Sequence, residues 1–255
     1  MSGGHAHGLL VHNRSRVHDL RPQCKVASTL LFVLVVVATP RTEVWAFLAH
    51  ALILAIVAAV ASVPARHVAR RVVVEVPFLL FALMIPFVAG GPDVEVAGVA
   101  VSHEGLLAAW NIIAKATLGL TASILLAATT PVADILHGLQ RLHAPRVIVA
   151  IAHFMVRYGD VISGEMRRMK IARESRGYDA HWLWQGRALA SSMGSLFLRS
   201  YERGERVYLC MIARGFWGSL PEIDNLDAPP GHWIAALTVP LLAVAVATGA
   251  WAAAT

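Results

Sequence analysis

Charge is scarce in this chain. Of its 255 residues only 15% are Asp, Glu, Lys or Arg, whereas 57% are apolar, and the mean hydropathy is +0.61. A soluble domain carries about a quarter charged residues and a disordered chain is poorer still in apolar ones, so both classes are excluded. Acids are the fewest, 16 against 22 Lys and Arg, which leaves a formal net charge of +6. Cysteine is nearly absent: Cys24 and Cys210 stand far apart with no Cys-x-x-Cys. That argues against a disulfide scaffold or a thiolate zinc site, and for a reducing surrounding. There is no G-x-x-x-x-G-K-[ST] phosphate loop and no H-E-x-x-H. The chain therefore carries neither of these nucleotide or metalloprotease motifs.

What it does have is long apolar runs. Five blocks qualify as membrane segments: Val26 to Thr39, Val44 to Val63, Val72 to Ala89, Gly105 to Thr130 and Trp233 to Ala254. A crossing takes about 20 apolar residues, and the first block, 14 residues ahead of Pro40, is short enough to suggest half of a tight hairpin with the second. Lys and Arg in the short loops set the orientation. Arg14, Arg16, Arg21 and Lys25 precede the first block, and Arg66, Arg70 and Arg71 lie between the second and third. The loop from Gly90 to Glu104 has acids and no base, and between the fourth and fifth blocks stand 13 of the 22 basic residues. The prediction is an all-α polytopic membrane protein of about five spans. Residues 1–25 form a cytoplasmic N-terminal segment, 26–130 a membrane domain, 131–231 a cytoplasmic domain, and 232–255 a last span. No cleavable signal peptide is expected at the N-terminus. The basic pI, about 9.9, is thereby read as a topology signal and not as a nucleic-acid footprint.

Three amphipathic helices are predicted in the insert. A short one runs from Val132 to Leu142 behind Pro131, and a long one starts at Pro145 with Val147, Ile151, Phe154, Tyr158, Ile162, Met166 and Met169 on one face. The third runs from about Gly186 to Arg214 with Leu189, Met193, Leu196, Phe197 and Tyr201 among its apolar positions. The long helices are expected to cross, with the small residues Ser191, Gly194 and Ser195 permitting close approach. They end alike: Ser175-Arg176-Gly177-Tyr178 and Ala213-Arg214-Gly215-Phe216, 38 residues apart. One such ending reads as an ordinary cap, Arg meeting the negative end of the helix and Gly the left-handed turn. Two copies on paired helices also suit docking on a two-fold partner with acidic grooves.

With Thr129-Thr130-Pro131, Arg141-Leu142-His143-Ala144-Pro145-Arg146, Arg157-Tyr158, Glu165-Met166-Arg167-Arg168-Met169 and the two endings, the chain resembles the transmembrane coupling (T) component of energy-coupling factor importers, closest to the cobalt-type CbiQ family. The stretch from Gly194 to Ser200, the stretch from Glu202 to Tyr208, and Val17, His18, Leu20, Pro22 and Lys25 near the N-terminus extend the similarity. The resemblance implies a multi-pass protein of the bacterial inner membrane with its N-terminus in the cytoplasm. It implies as partners two cytoplasmic ATPase subunits and a metal-binding membrane S component, no cofactor in this chain, and uptake of Co²⁺ or, alternatively, nickel. Carried over by motif, Ser175, Arg176 and Gly177 with Ala213, Arg214 and Gly215 form the ATPase-coupling tips. Ser175 stands where the family usually has Ala, which leaves open a share for Arg173.

Other residues read more plainly. His5, His7, His12 and His18 lie in a short Gly-rich segment without the fixed spacing of a structural metal site, so no metal site is assigned. Lys115, inside the fourth block, is expected to pair within the bundle or contact a subunit, and Glu75 to be a boundary charge near Arg70 and Arg71. A membrane-embedded enzyme or a self-sufficient transporter remain alternatives. The first needs a convergent acid, base or metal cluster at one depth, and the second needs paired ionisable residues at broken helices near mid-membrane. The orientation is testable in a chain whose own two cysteines are replaced. Single cysteines at Gly91 and Arg187 should react with an impermeant maleimide from opposite sides of the membrane, and labelling of position 187 from outside intact cells would reverse the topology.

Overall fold

A computed structural model describes residues 15, 17–88, 93–96, 99–178, 186–217 and 228–254. All five apolar blocks are helical: α1 (Pro22–Ala38), α2 (Val44–Val60), α3 (Ala65–Val72) leading through a 3₁₀ turn (Val73–Glu75) into α4 (Val76–Val88), α5 (His103–Thr129) and, after the insert, α9 (Pro230–Ala254). The insert supplies α6 (Val132–Arg141), α7 (Arg146–Glu174) and α8 (Gly186–Ala213). The break inside the third block has a local cause. Val72, Val73 and Val74 are β-branched, and Pro77 has no N–H to donate, so one turn tightens before the helix restarts.

The acidic loop after α4 contains a two-stranded antiparallel hairpin, β1 (Asp93–Val96) with β2 (Val99–Ser102), in the register Asp93 opposite Ser102. Alternating Val in both segments favours paired strands over open loop. Ser102 then caps α5, its Oγ accepting from the Gly105 N–H at 3.3 Å.

The chain divides into two compact units. One holds the described residues between 15 and 142 and from 228 to 254, the other those between 143 and 217. In the first unit α1 packs along α9 and against α5 and α6. Ala236, Pro240, Ala243, Ala247 and Ala250 are the buried face of α9, small residues at spacings of four and three. With lipid no less apolar than the helices, close van der Waals approach of this kind holds spans together. Gly138 of α6 is required by contact: a Cβ there would lie 3.0 Å from the backbone of Pro22 and Gln23. Outward, large apolar side chains stand exposed, among them Leu48, Phe78 and Phe81. Such a surface suits hydrocarbon and not water.

α1 is 17 residues long, so it rises about 26 Å, short of a hydrocarbon core of about 30 Å. A helix end leaves four carbonyls without intrahelical partners, and inside a bilayer no water can serve them. Here all four are satisfied. The Thr39 hydroxyl donates to Val35 O at 2.9 Å and the Thr39 N–H to Val36 O at 3.3 Å. Lys115 Nζ of α5 donates to Val37 O at 2.7 Å, and Trp251 Nε1 of α9 to Ala38 O at 3.1 Å. Lys115 is thus a helix cap supplied by a neighbour. At the opposite end of α1, Lys25 is no exposed topology charge: buried, its Nζ donates to His18 O at 3.0 Å and to Thr129 O, the last residue of α5, at 3.2 Å. Glu75 is also buried, and its Oε1 accepts from the Thr117 hydroxyl of α5 at 3.1 Å.

By length and composition three described helices can cross a membrane, α5, α7 and α9, with α1 and α2 as shorter apolar helices. α7 is among them although its sequence reads as one of the amphipathic helices of the insert. From Val147 to Val156 it has no charged residue, and apart from Arg146 at its start its charges lie from Arg157 onward.

Replacing Lys115 by Met keeps the length and removes the donor. Leaving Val37 O unpartnered should cost about 1 to 3 kcal/mol, read as a lowered thermal midpoint of the detergent-purified chain by tryptophan fluorescence. Lys115→Arg, which retains donors, should lose less. A Met variant as stable as wild type would mean that the carbonyl finds another donor.

Candidate functional site

The second unit is organised by α7 and α8. Residues 153–158 of α7 lie beside 203–214 of α8, while Glu165 meets Arg199 and Arg203, so the helices run in opposite directions. The contact that joins them is ionic. Glu165 is buried, and its two oxygens accept separately, Oε1 from Arg199 Nη1 at 3.3 Å and Oε2 from Arg203 Nη2 at 2.9 Å. A carboxylate removed from water needs such partners, and two guanidinium forks satisfy both oxygens. In the sequence Glu165 stands out only within the Glu165-Met166-Arg167-Arg168-Met169 motif, and Arg203 only within the stretch from Glu202 to Tyr208. The one available signal was that they are 38 residues apart, the same offset as the two endings.

Both endings have the same geometry. In the first, the Gly177 N–H donates to Glu174 O at 3.0 Å and the Tyr178 N–H to Arg173 O at 3.1 Å. In the second, the Gly215 N–H donates to Ile212 O at 2.9 Å and the Phe216 N–H to Met211 O at 3.0 Å. Each is a Schellman cap, closed by a glycine in the left-handed region, φ +75° at Gly177 and +81° at Gly215. No neighbour crowds either glycine, so it is the backbone conformation that requires them.

The residue before each glycine is the arginine, and both Arg176 and Arg214 are exposed, with no ion pair among the described residues. Ser175 differs from Ala213 by a hydroxyl that turns back to its own helix, donating to Ile171 O at 2.9 Å. Arg173 contributes its carbonyl to the first cap, accepting from Arg176 N–H as well as from Tyr178. Trp217, directly after the second cap, is 93% exposed. Sequence reading passed over it, although an aromatic beside a charged tip is a common anchor in protein interfaces.

The spacing is symmetric. Arg176 lies eleven residues beyond Glu165, and Arg214 eleven beyond Arg203. At 1.5 Å per residue each tip is about 16 Å along its helix from the bridge, in opposite directions. Of the small residues, Ser191 and Gly194 are exposed, a Cβ on Gly194 would touch nothing within 4 Å, and the Ser195 hydroxyl returns to Ser192 O. Among the described residues no group of three or more His, Cys, Asp or Glu is placed to hold a metal ion. His5, His7 and His12 lie outside the described residues.

These features define a helical membrane protein with a charged unit of two bridged helices, each ending in an arginine cap that has no ion pair among the described residues. Residues 13–223 match the CbiQ family, cobalt transport protein, and the chain belongs to that family. Among its relatives, the cobalt transport protein CbiQ of Rhodobacter capsulatus is 27% identical over 66% of this chain and 67% of its own length. An energy-coupling factor transporter transmembrane protein EcfT of Thermanaerovibrio acidaminovorans is 29% identical over 84% and 83%. An uncharacterized protein of Methanocaldococcus jannaschii is 26% identical over 66% of this chain, which spans 61% of that protein's length. The family and the helical membrane fold therefore agree with the sequence reading.

The bridge is open to direct test. Spin labels at Lys170 and Tyr208, on a background without native cysteine, should report a single narrow distance. Glu165→Ala, which leaves two guanidiniums facing each other, should broaden it; an unchanged distribution would show that apolar contact alone sets the pair.

Proposed function

We propose that this chain is the T component of an energy-coupling factor importer for a transition-metal ion, with Co²⁺ as the ion carried. Two cytoplasmic ATPase subunits dock on the tips at Arg176 and Arg214, and a metal-binding membrane S component is the third partner. The chain itself performs no catalysis. The observation that carries this reading is the pair of arginine caps of the same backbone geometry, without an ion pair among the described residues, placed at equal distances on either side of the Glu165 bridge. A two-fold pair of ATPases offers two equal carboxylate-lined grooves, and two equal tips are what such a partner would take. Membership in a family described as cobalt transport protein supports the choice of ion.

In this reading the bridge is the fulcrum. Closure of the ATPases on ATP displaces both tips, and because α7 and α8 are joined at Glu165 the displacement reaches them as one rigid pair. The N-terminal segment and residues 131–231 then belong to the cytoplasmic side, with the uncharged stretch from Val147 to Val156 against the bilayer. An arginine docked in an acidic groove offers a planar fork, and a lost pair of this kind costs about 2 to 5 kcal/mol.

Arg176→Glu and Arg214→Glu should each weaken recovery of the ATPases with the affinity-tagged chain, and the double change should abolish both assembly and ATP-driven Co²⁺ uptake in proteoliposomes. Arg167→Glu, exposed on α7 away from either tip, should have little effect. Wild-type uptake by the double variant would reduce the two endings to simple helix caps.

A further inference from the structure

The membrane unit holds a cavity of about 380 Å³ between α1, α2, α5 and α9. Its lining runs from Lys25 to Phe32 on α1, from Ile53 to Val60 on α2, from Ala122 to Thr129 on α5 and from Ala235 to Leu242 on α9. Each helix thus contributes the same length of chain, and at 1.5 Å per residue the cavity is about 10 Å deep. It begins at the end of the unit where α1 and α9 start and α2 and α5 finish.

Along this depth the walls are hydrocarbon, supplied by Phe32, Leu54, Val57, Leu125, Val239 and Leu242. Three threonines line it too, and each turns its hydroxyl to a backbone oxygen of its own helix. Thr29 donates to Lys25 O at 2.9 Å, Thr129 to Leu125 O at 2.9 Å and Thr238 to Ala235 O at 2.8 Å. A hydroxyl so committed has no hydrogen left to donate to a ligand. The mouth is different. Lys25 and Ser28, three residues apart on α1, both line the cavity. An ammonium has three N–H groups, and Lys25 commits two of them, to His18 O and Thr129 O, which leaves one. Ser28 Oγ has no hydrogen-bond partner among the described residues. Asp134 and Asp19 already act on the Lys25 charge through space, so the mouth calls for an acceptor oxygen more than for a counter-charge.

A thin apolar chain with oxygens at one end fits this arrangement. A partner's helix, about 10 Å across, fills about 800 Å³ over the same depth, twice the space present. Water finds no partners along the walls, and cavities of that kind stay dry and take apolar matter. An aliphatic side chain from another protein would cover the walls but bring no oxygen to Lys25 and Ser28. An acyl chain of the surrounding bilayer does both, because its ester and phosphate oxygens follow directly on the hydrocarbon.

We propose that this cavity is a phospholipid site: one acyl chain enters along Phe32, Leu54 and Leu125, and the ester or phosphate oxygens accept from Lys25 Nζ and Ser28 Oγ. The site lies wholly in the membrane unit, and its occupancy is independent of how the tips at Arg176 and Arg214 are used.

The full-length chain is reconstituted alone in phosphatidylcholine vesicles that contain a trace of phosphatidylcholine with a diazirine midway along one acyl chain. After irradiation the labelled residues are mapped by peptide mass spectrometry. Leu54 and Leu125 are 5% and 4% exposed, out of reach of lipid that merely surrounds the bundle. Both should be labelled, together with outward residues such as Phe78 and Phe81. Val57→Phe with Val239→Phe fills the cavity and should lose the two inner labels while the outer ones persist. Leu48→Phe with Leu241→Phe adds the same bulk on the outer surface, where both residues are 64% exposed, and should change neither set. Ser28→Ala keeps every wall residue and should reduce the inner labels with the thermal midpoint unchanged. Labels confined to outward residues in the wild-type chain would overturn the site, as would wild-type inner labelling in the filled variant or in Ser28→Ala. A photoreactive palmitate that labels Leu54 and Leu125 where the phospholipid does not would assign the cavity to a free fatty acid and overturn it as well.

Discussion

The membrane unit depends on how the C-terminal end of α1 is closed. Four carbonyls there have no partner within the helix's own ladder, and they are met by the Thr39 hydroxyl and N–H, by Lys115 and by Trp251. Two of those donors come from other helices, so the capping of α1 is also the joining of α1 to α5 and α9. The other end repeats the device with Lys25, which ties the last carbonyl of α5 to the start of α1. A short apolar helix in lipid cannot end on its own, and the bundle is assembled around the groups that end it.

The second unit follows a different rule, since its helices are polar enough to cap themselves. α7 and α8 each close with the same glycine turn, and among the described residues the ion pairs between them are those of the buried Glu165 with Arg199 and Arg203. Removing one partner of such a group strands a charge, which makes the contact sensitive to register. Glu165 and Arg203 occupy equivalent places in the 38-residue repeat, so the join falls midway between the tips. An off-centre join would give two ATPases unequal levers; a central one suits the two-fold partner proposed here.

The two tips differ in what surrounds them. Arg214, within the α8 cap, lines a groove between α7 and α8 together with Arg157, Tyr158, Arg203 and Arg206, and Arg176 is not among the residues lining it. The two endings are alike in backbone and unlike in surroundings. Trp217 beside the second tip increases the difference.

Much of this was legible in the residues themselves. Apolar runs of sufficient length must be membrane helices, because nothing else satisfies a backbone in hydrocarbon, and an Arg-Gly ending must be a left-handed cap, because only glycine takes that φ at no cost. Helix identity, the matched tips and the family are all properties of local sequence. What local sequence did not contain was which side chain meets which backbone. Lys25 and Lys115 read as charges to be placed relative to a membrane, yet each donates to a carbonyl that exists only because another helix ends beside it. Ser191, Gly194 and Ser195 read as the crossing point, while nothing in the local sequence announces the ion pairs of Glu165, whose partners are 34 and 38 residues away. Pairings of that kind are decided by the rotation and register of whole helices, which are set only when the chain has packed.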